Sequence, residues 1–265
     1  MIVIGELINA SRKVIAEAIR NHDAAAIQEV ARQQALAGAQ YIDVNAGIFQ
    51  DRELQIMEWL VRSVQEVTEV PCSIDSPDPR VLAAGLAAHR GAALINSISL
   101  EPERLEAVTP LVRGTSHGIV ALCIDGSGMP QGTDQRLQRT ERLVNHLAKN
   151  DVPLDHIFVD PLLEAIGTQH TSAADFFAAL GAIRARFPEV HVTCGLSNVS
   201  FGVPRRKLLN RVFAIMAIAR GLDTAIVNPL DERLMSDILV AETLAGHDEW
   251  CERYLMAHRE ERLVV

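Results

Sequence analysis

Residues 191–204 read HVTCGLSNVSFGVP. His191, Val192, Thr193 and Cys194 open the stretch like a strand buried on both faces, without polar alternation. Gly195, Ser197, Asn198 and Ser200 follow, and Gly202 and Pro204 mark a turn. An apolar run thus ends by delivering an amide, Asn198, to the place where the chain bends. A plain loop does not need that amide there, whereas a binding site does.

The event recurs along the chain. Short runs rich in Val, Ile, Leu or Cys end in Asp, Asn, Gly or Ser at VIGELI (3–8), YIDVNAG (41–47), CSIDS (72–76), ALINSIS (93–99), GIVALCIDG (118–126), IFVDPL (157–162), HVTCGLSN (191–198) and TAIVNP (224–229). Helical patterns separate them. Leu54, Met57, Val61, Val64 and Val67 lie three or four residues apart, one stripe of an amphipathic helix. Asp78-Pro79-Arg80 and Glu101-Pro102 start two others, with Pro in the first turn. Thr133 or Asp134 is expected to cap a helix running to His146, and Thr171 or Ser172 one running to about Arg186. The last long helix is expected from about Glu232 to Leu244. Strand and helix alternate with no linker rich in Pro, Gly or Ser. The expectation is an α/β chain, a (β/α)8 TIM barrel forming one domain over 1–265. An open doubly wound sheet is the second choice, and it lacks the Gly-x-Gly-x-x-Gly and Walker loops of its nucleotide-binding versions.

Composition agrees. The chain has 265 residues, 48% of them apolar, enough to bury a large core. Its net charge is −9, and its densest basic cluster is Arg205-Arg206-Lys207, which argues against nucleic acid. Cys72, Cys123, Cys194 and Cys251 form no Cys-x-x-Cys pair. They are expected to act as small hydrophobes in strands, and free thiols fit a reducing cytoplasm. The start MIVIGELINASRK lacks the pattern of a signal peptide, and the apolar run 212–219 is too short to cross a membrane, so no membrane association is expected.

In a barrel the active site lies at the strand C-terminal ends. Glu6, Asn9, Asp43, Asn45, Asp75, Asn96, Asp125, Asp160, Asn198 and Asn228 fall there. Lysine and clustered histidine are missing from these ends, so neither a Schiff base nor a bound metal is expected. A ring of Asp and Asn suits a flat heterocycle rich in N–H donors. A carboxylate accepts two parallel bonds from an amino-pyrimidinone edge, the edge that pterins carry. Each residue also has a plainer use. Asp75 is either a ring ligand or a cap for the helix near Pro77–Pro79. Asn96 either meets a ligand or satisfies loop backbone. Asp160 precedes Pro161 as in an ordinary turn. Asp43 is a ligand or a polar group of the barrel core, and Glu6 and Asn9 equally pin the first loop. His191 and the 205–207 cluster read more simply as structural and solvated.

IGELIN (4–9), YIDVNAG (41–47), SIDSPDP (73–79), LINSIS (94–99), VDPL (159–162) and GLSNVSFG (195–202) follow one another in order, with LLNRVF (208–213) after them. Together they resemble the pterin-binding methyltransferase family, most closely its methyltetrahydrofolate:corrinoid protein methyltransferases, over residues 2 to about 255. The resemblance implies that Asp75, Asn96 and Asp160 hydrogen-bond the pterin and that Asn198 contacts its methyl-bearing nitrogen as the catalytic residue. It places Gly195, Ser197, Arg206 and Ile226 in the same pocket, and Asp43 at a strand end near the pterin. It implies a homodimer, with tetrahydrofolate or 5-methyltetrahydrofolate as substrate. The chain has no Asp-x-His-x-x-Gly corrinoid motif, so the corrinoid (cobalamin) is expected on a partner protein, its cobalt exchanging methyl with folate in either direction. Dihydropteroate synthase is a cousin that would be expected to show Ser-Arg-Lys after the seventh strand and Arg-x-His near the eighth. Ser197-Asn198-Val199 and Val227-Asn228-Pro229 stand there instead. A folate-binding module without catalysis is the remaining alternative.

Overall fold

The structure is a computed structural model that describes residues 1–264. Strands form where the apolar runs were read: β1 (Ile2–Asn9), β2 (Tyr41–Asn45), β3 (Cys72–Asp75), β4 (Leu94–Ile98), β5 (Gly118–Leu122), β6 (Ile157–Asp160), β7 (His191–Val192) and β8 (Thr224–Val227). They make one parallel sheet in the order β7-β6-β5-β4-β3-β2-β1-β8. Gly195 lies beside Ile226 in a parallel bridge, and the Ile226 amide donates to the Cys194 carbonyl at 2.9 Å, so the two ends of the sheet meet as a (β/α)8 TIM barrel.

The crossovers carry α1 (Lys13–Arg20) and α2 (Ala24–Leu36), α3 (Glu53–Gln65), α4 (Pro79–Ala88), α5 (Pro102–Val112), α6 (Gly132–Lys149), α7 (Ser172–Arg186) and α8 (Arg206–Ile218); α9 (Glu232–Leu244) and α10 (Glu252–Arg259) follow β8. Two cores result. Ile4, Leu94, Val120 and Phe158 fill the barrel with Ile2, Tyr41, Leu122 and Ile226, while a larger apolar layer separates strands from helices. Gly118 makes room for the inner plug: a Cβ there would stand 3.1 Å from both Leu94 and Phe158 side chains.

Several local expectations change. α3 buries Ile56, Met57, Leu60, Val61 and Val64, whereas Leu54 is exposed, because the stripe is set one position away from it. α6 begins at Gly132, before Thr133 and Asp134, and has no side-chain cap; the Gln131 amide donates to the Gln135 side chain at 2.9 Å instead. Thr171 occupies the cap position of α7, but its hydroxyl goes to Asp175 at 2.9 Å, and the Ser172 hydroxyl accepts from the Glu164 amide at 2.9 Å. Asp78 does cap α4, accepting from the Arg80 amide at 2.9 Å ahead of Pro79. Cys72, Cys123 and Cys194 are buried, and burial pushes the Cys72 and Cys123 thiols up to about 12. Cys251 is exposed at the start of α10, outside any strand.

One device aims the first strand. The pairing of β1 with β2 shifts between Gly5 and Ile8, which would leave the Leu7 amide unpaired. Gln34 of α2, wholly buried, accepts that amide at 3.0 Å. Its carbonyl oxygen fits because Gly5 has no side chain; a Cβ there would lie 2.4 Å from it. Glu6 is thereby presented at the mouth.

Candidate functional site

The barrel mouth has two unlike halves. On the side of β2 to β6, register places Asn45 beside Asp75 and Asp75 beside Asn96. Asn45 Nδ2 donates to Asp75 Oδ2 at 2.8 Å, and Asn45 Oδ1 accepts from the Gly47 amide at 3.0 Å. Asp75 does not cap α4. Ser76 Oγ and Asp78 perform that work, Ser76 by accepting from the Asp78 amide at 3.1 Å. Asn96 Nδ2 donates to Asp43 Oδ1 at 3.3 Å, and Ser73 Oγ donates to the same oxygen at 2.7 Å. Asp43 is therefore a buried polar group bonded to its neighbours, directly beneath Asn96. Burial, and then the Asp75 charge, pushes the Asp43 carboxyl well above its ordinary range; burial also raises Asp75.

Asp160 ends β6, beside Leu122 of β5. Its Oδ1 accepts from the Leu162 amide at 2.8 Å, so one oxygen does serve a turn after Asp-Pro. Its Oδ2 has no partner among the described residues. Burial lifts the carboxyl to about 7, against the Leu162 amide and the nearby Arg136 charge. Arg136, fully buried on α6, supports this loop by donating to the Pro161 and Leu162 carbonyls at 2.9 and 3.3 Å.

The other half lies over β7, β8 and β1. The stretch expected to be strand from His191 to Cys194 has ladder pairing only at His191–Val192, and the bend expected after it is a short 3-10 turn at Leu196–Ser200. That turn brings Asn198 to the surface. Its side-chain amide folds back over Gly195, where a Cβ would stand 2.9 Å from Asn198 Nδ2. Among the described residues the amide has no hydrogen-bond partner. Arg206 holds the turn from α8, its Nη2 donating to the Ser197 carbonyl at 2.7 Å and its Nε to Ser200 Oγ at 3.1 Å. Ser197 Oγ donates to Glu6 Oε2 at 3.4 Å, and Arg12 pairs with Glu6 Oε1 at 2.8 Å. Burial raises the Glu6 carboxyl, and Arg12 opposes it. A cleft of about 240 Å³ opens here, lined by Glu6, Arg12, Ser197, Arg206, Asn228 and Asp231 among others.

The structure thus joins Asp43, Asp75 and Asn96 on neighbouring strands, with Asp160 at the end of β6 two strands beyond β4, and sets Gly195, Ser197, Asn198, Arg206 and Ile226 on the other side. Three strand-end residues serve loops instead. Asn9 accepts from the Ser11 amide at 2.9 Å, Asp125 pairs with Arg139 at 2.9 Å, and Asn228 accepts from the Leu230 amide at 3.0 Å. His191 is structural, bonded to Asp223 at 2.8 Å and stacked on Phe158 with ring centres 4.6 Å apart. The support given by Asn45, Arg136 and Gln34 was not foreseen; of these only Asn45 carried a signal, its place at a strand end. Among the described residues no cluster of three or more His, Cys, Asp or Glu side chains could hold a metal ion, and no helix is long and apolar enough to cross a membrane.

The sequence pattern of the family described as "Pterin binding enzyme" matches residues 5–228. The chain is 36% identical over 265 residues to the methylcorrinoid:tetrahydrofolate methyltransferase of Eubacterium limosum, covering 99% of this chain and 98% of that one. It is 34% identical over 241 residues to the methionine synthase of Mycobacterium leprae (strain TN), of which it spans only 20%. A solved dihydropteroate synthase from Coxiella burnetii, in complex with pteroic acid, superposes with a TM-score of 0.69 at 14% identity over 93% of this chain and 94% of that one, a likeness of fold alone. With the barrel, its ordered motifs and these matches in hand, the chain belongs to the pterin binding enzyme family.

Proposed function

We propose that the chain moves a methyl group between the methyl-bearing nitrogen of tetrahydrofolate and the cobalt of a corrinoid held by a separate protein. The observation that carries this is the near end-to-end similarity to a relative named as a methylcorrinoid:tetrahydrofolate methyltransferase. That name favours delivery of the methyl group onto tetrahydrofolate.

Asp75, Asn96 and Asp160 take the pterin edge. Asp75 Oδ1 and Asp160 Oδ2 are the acceptor oxygens left open, and a buried bond to a charged group contributes roughly 1.5–3 kcal/mol. A ring without those N–H donors would leave the carboxylates buried and unpaired. Asp43 lies below as a second layer, holding Asn96. Ile226 and Gly195 form the wall towards β8, and Ser197 and Arg206 fix the turn that carries Asn198.

The nitrogen attacks the methyl carbon in line, the carbon–nitrogen bond forms, the nitrogen gives up its proton, and the electron pair of the broken bond stays on cobalt. In reverse the nitrogen must regain a proton, because an amide-like anion is a very poor leaving group. Asn198 is not itself an acid or base near neutral pH. Its free amide accepts the hydrogen bond of the protonated nitrogen as that charge develops. Water or a carboxylate carries the proton, and the hydrogen bond from Ser197 to Glu6 makes Glu6 the candidate carboxylate.

The test follows the absorbance of a methylated corrinoid protein, mixed with tetrahydrofolate and this protein, together with the formation of 5-methyltetrahydrofolate. Loss of the methylcorrinoid spectrum only when all three are present is expected. Folate binding with no spectral change would leave a non-catalytic module. Formation of dihydropteroate from para-aminobenzoate and a pterin diphosphate would indicate the synthase, although Ser197-Asn198-Val199 and Val227-Asn228-Pro229 stand where its Ser-Arg-Lys and Arg-x-His would be expected.

A homodimer and a cytoplasmic setting belong to the same proposal. Leu208, Val212, Ile215 and Met216 form an exposed apolar row on α8, which supports a second copy as its cover. Sedimentation should give a dimer for the wild type and a monomer for Ile215→Asp. A monomeric wild type removes this part of the proposal.

A further inference from the structure

Behind the two adjacent ring-gripping residues lies an arginine with no place in the chemistry above. Arg104, half-buried near the start of α5, donates from Nη2 to the Ser76 carbonyl at 3.0 Å and the Ser97 carbonyl at 2.5 Å, and from Nη1 to the Pro77 carbonyl. Ser76 and Pro77 follow Asp75 directly, and Ser97 follows Asn96. One guanidinium therefore ties the loop after β3 to the loop after β4, at the residues that begin where the two side chains end.

We propose that Arg104 is a positioning residue for pterin recognition: by clamping these three carbonyls it fixes Asp75 and Asn96 relative to each other so that both meet one edge of the ring. The inference rests on the pterin reading given above. Carbonyl oxygens are satisfied by a neutral donor, but a planar fork with five N–H groups can serve two loops at once.

The charge matters as much as the fork. Two carboxylates act on Asp75, Asp43 from β2 and Glu53 from α3, while Glu101 before α5 and Asp78 at the start of α4 lie, with Asp75, around the Arg104 guanidinium. Glu53 is itself buried and accepts from Ser76 Oγ at 2.6 Å. Burial raises the Asp75 carboxyl and Glu53 raises it further, while Asn45 and Arg104 oppose them. Without Arg104 that balance tips towards a protonated Asp75, which cannot accept two N–H bonds.

Calorimetric titration of 5-methyltetrahydrofolate across pH, with thermal unfolding alongside, tests this in the whole protein. Arg104→Gln should weaken binding about tenfold at neutral pH and move the pH below which affinity falls upward by about one unit. Arg104→Lys should restore the pH position, because it keeps the charge, yet remain about threefold weak, because a point charge on a flexible stem cannot hold three carbonyls as the fork does. A purely structural arginine would lower thermal stability and leave the pH position alone. Wild-type affinity and pH position in Arg104→Gln overturn the inference, as does a Lys variant no better than Gln in pH position. Should Arg104→Gln not fold, Arg104→Lys decides, and unchanged affinity there overturns it. A wild type that binds no folate sinks the pterin reading, and this inference with it.

Discussion

The two halves of the barrel mouth contain similar residue types in opposite conditions. On the β2–β6 side, Asp43, Asn45, Asp75, Asn96 and Asp160 sit on or directly after regular strands, are buried or nearly so, and bond to one another and to backbone. On the β7–β8–β1 side, Asn198 rests on a turn, exposed and unbonded among the described residues. Recognition of a rigid ring calls for acceptors held still before the ligand arrives. Stabilising a charge that exists only during reaction calls for a group left free until then. Under the proposed function, the first half does the holding and the second the reacting.

The largest expected effect tests that division directly. Asn198→Ala should lower kcat by about 10²–10³ while the dissociation constant for 5-methyltetrahydrofolate changes little, since one transition-state hydrogen bond is lost. Stopped-flow turnover beside calorimetric binding measures both. Equal losses in the two would move Asn198 into the holding half and erase the contrast.

Asp160 gives the next effect. Its carboxyl lies near 7 because of burial, so much of it is neutral at physiological pH in the free protein. A pterin edge donating N–H groups favours the charged form, so binding should tighten as pH rises towards 7 and level off above it. The slope below that point should approach about tenfold per pH unit, and Asp160→Asn should flatten it. Stability of the unliganded fold runs the other way. A raised carboxyl contributes most below its unfolded value near 3.8 and loses that contribution as pH climbs through about 7. The folate-induced rise in Tm should therefore be larger at pH 8 than at pH 5.5. An equal rise at both values would show that Asp160 does not meet the ring.

How the sequence announced these halves follows from the same physics. The holding half was legible because parallel strands covered on both faces read as continuous apolar runs, and the first polar residue after each run marks the mouth. That reading gathers Asp75, Asn96 and Asp160 among ten strand-end residues, and the family resemblance is what separates these three from the rest. The reacting half was legible in composition but not in shape. HVTC reads as strand through Cys194, yet ladder pairing stops at Val192, because beyond it the chain meets β8 only at the Gly195–Ile226 bridge and then curls. Hidden supports were illegible for another reason. Arg136 and Arg139 occupy the buried face of α6, where periodicity expects apolar residues, and they are tolerated because backbone carbonyls take up their N–H groups. Gln34 is concealed likewise, since only the bulge in β1 creates the amide it satisfies. Such partners depend on three-dimensional register, which no local pattern carries.

A matched pair of substitutions sharpens the comparison at its small end. In the holding half, Asn45→Ala removes the donor to Asp75 and leaves a nearly buried carboxylate oxygen without its partner, so urea unfolding should show a loss of about 1–3 kcal/mol. In the reacting half, Lys207 pairs with Asp231 at 3.2 Å, but its side chain is 82% exposed, so water and salt replace the partner as it leaves. Lys207→Gln should move Tm by less than about 2 °C, with folate affinity unchanged. Both substitutions delete one polar contact at the mouth, and only burial separates them. If Lys207→Gln destabilised the fold as much as Asn45→Ala, the turn after β7 would be as firmly built as the strand ends, and Asn198 would not have the freedom that its role in the reaction requires.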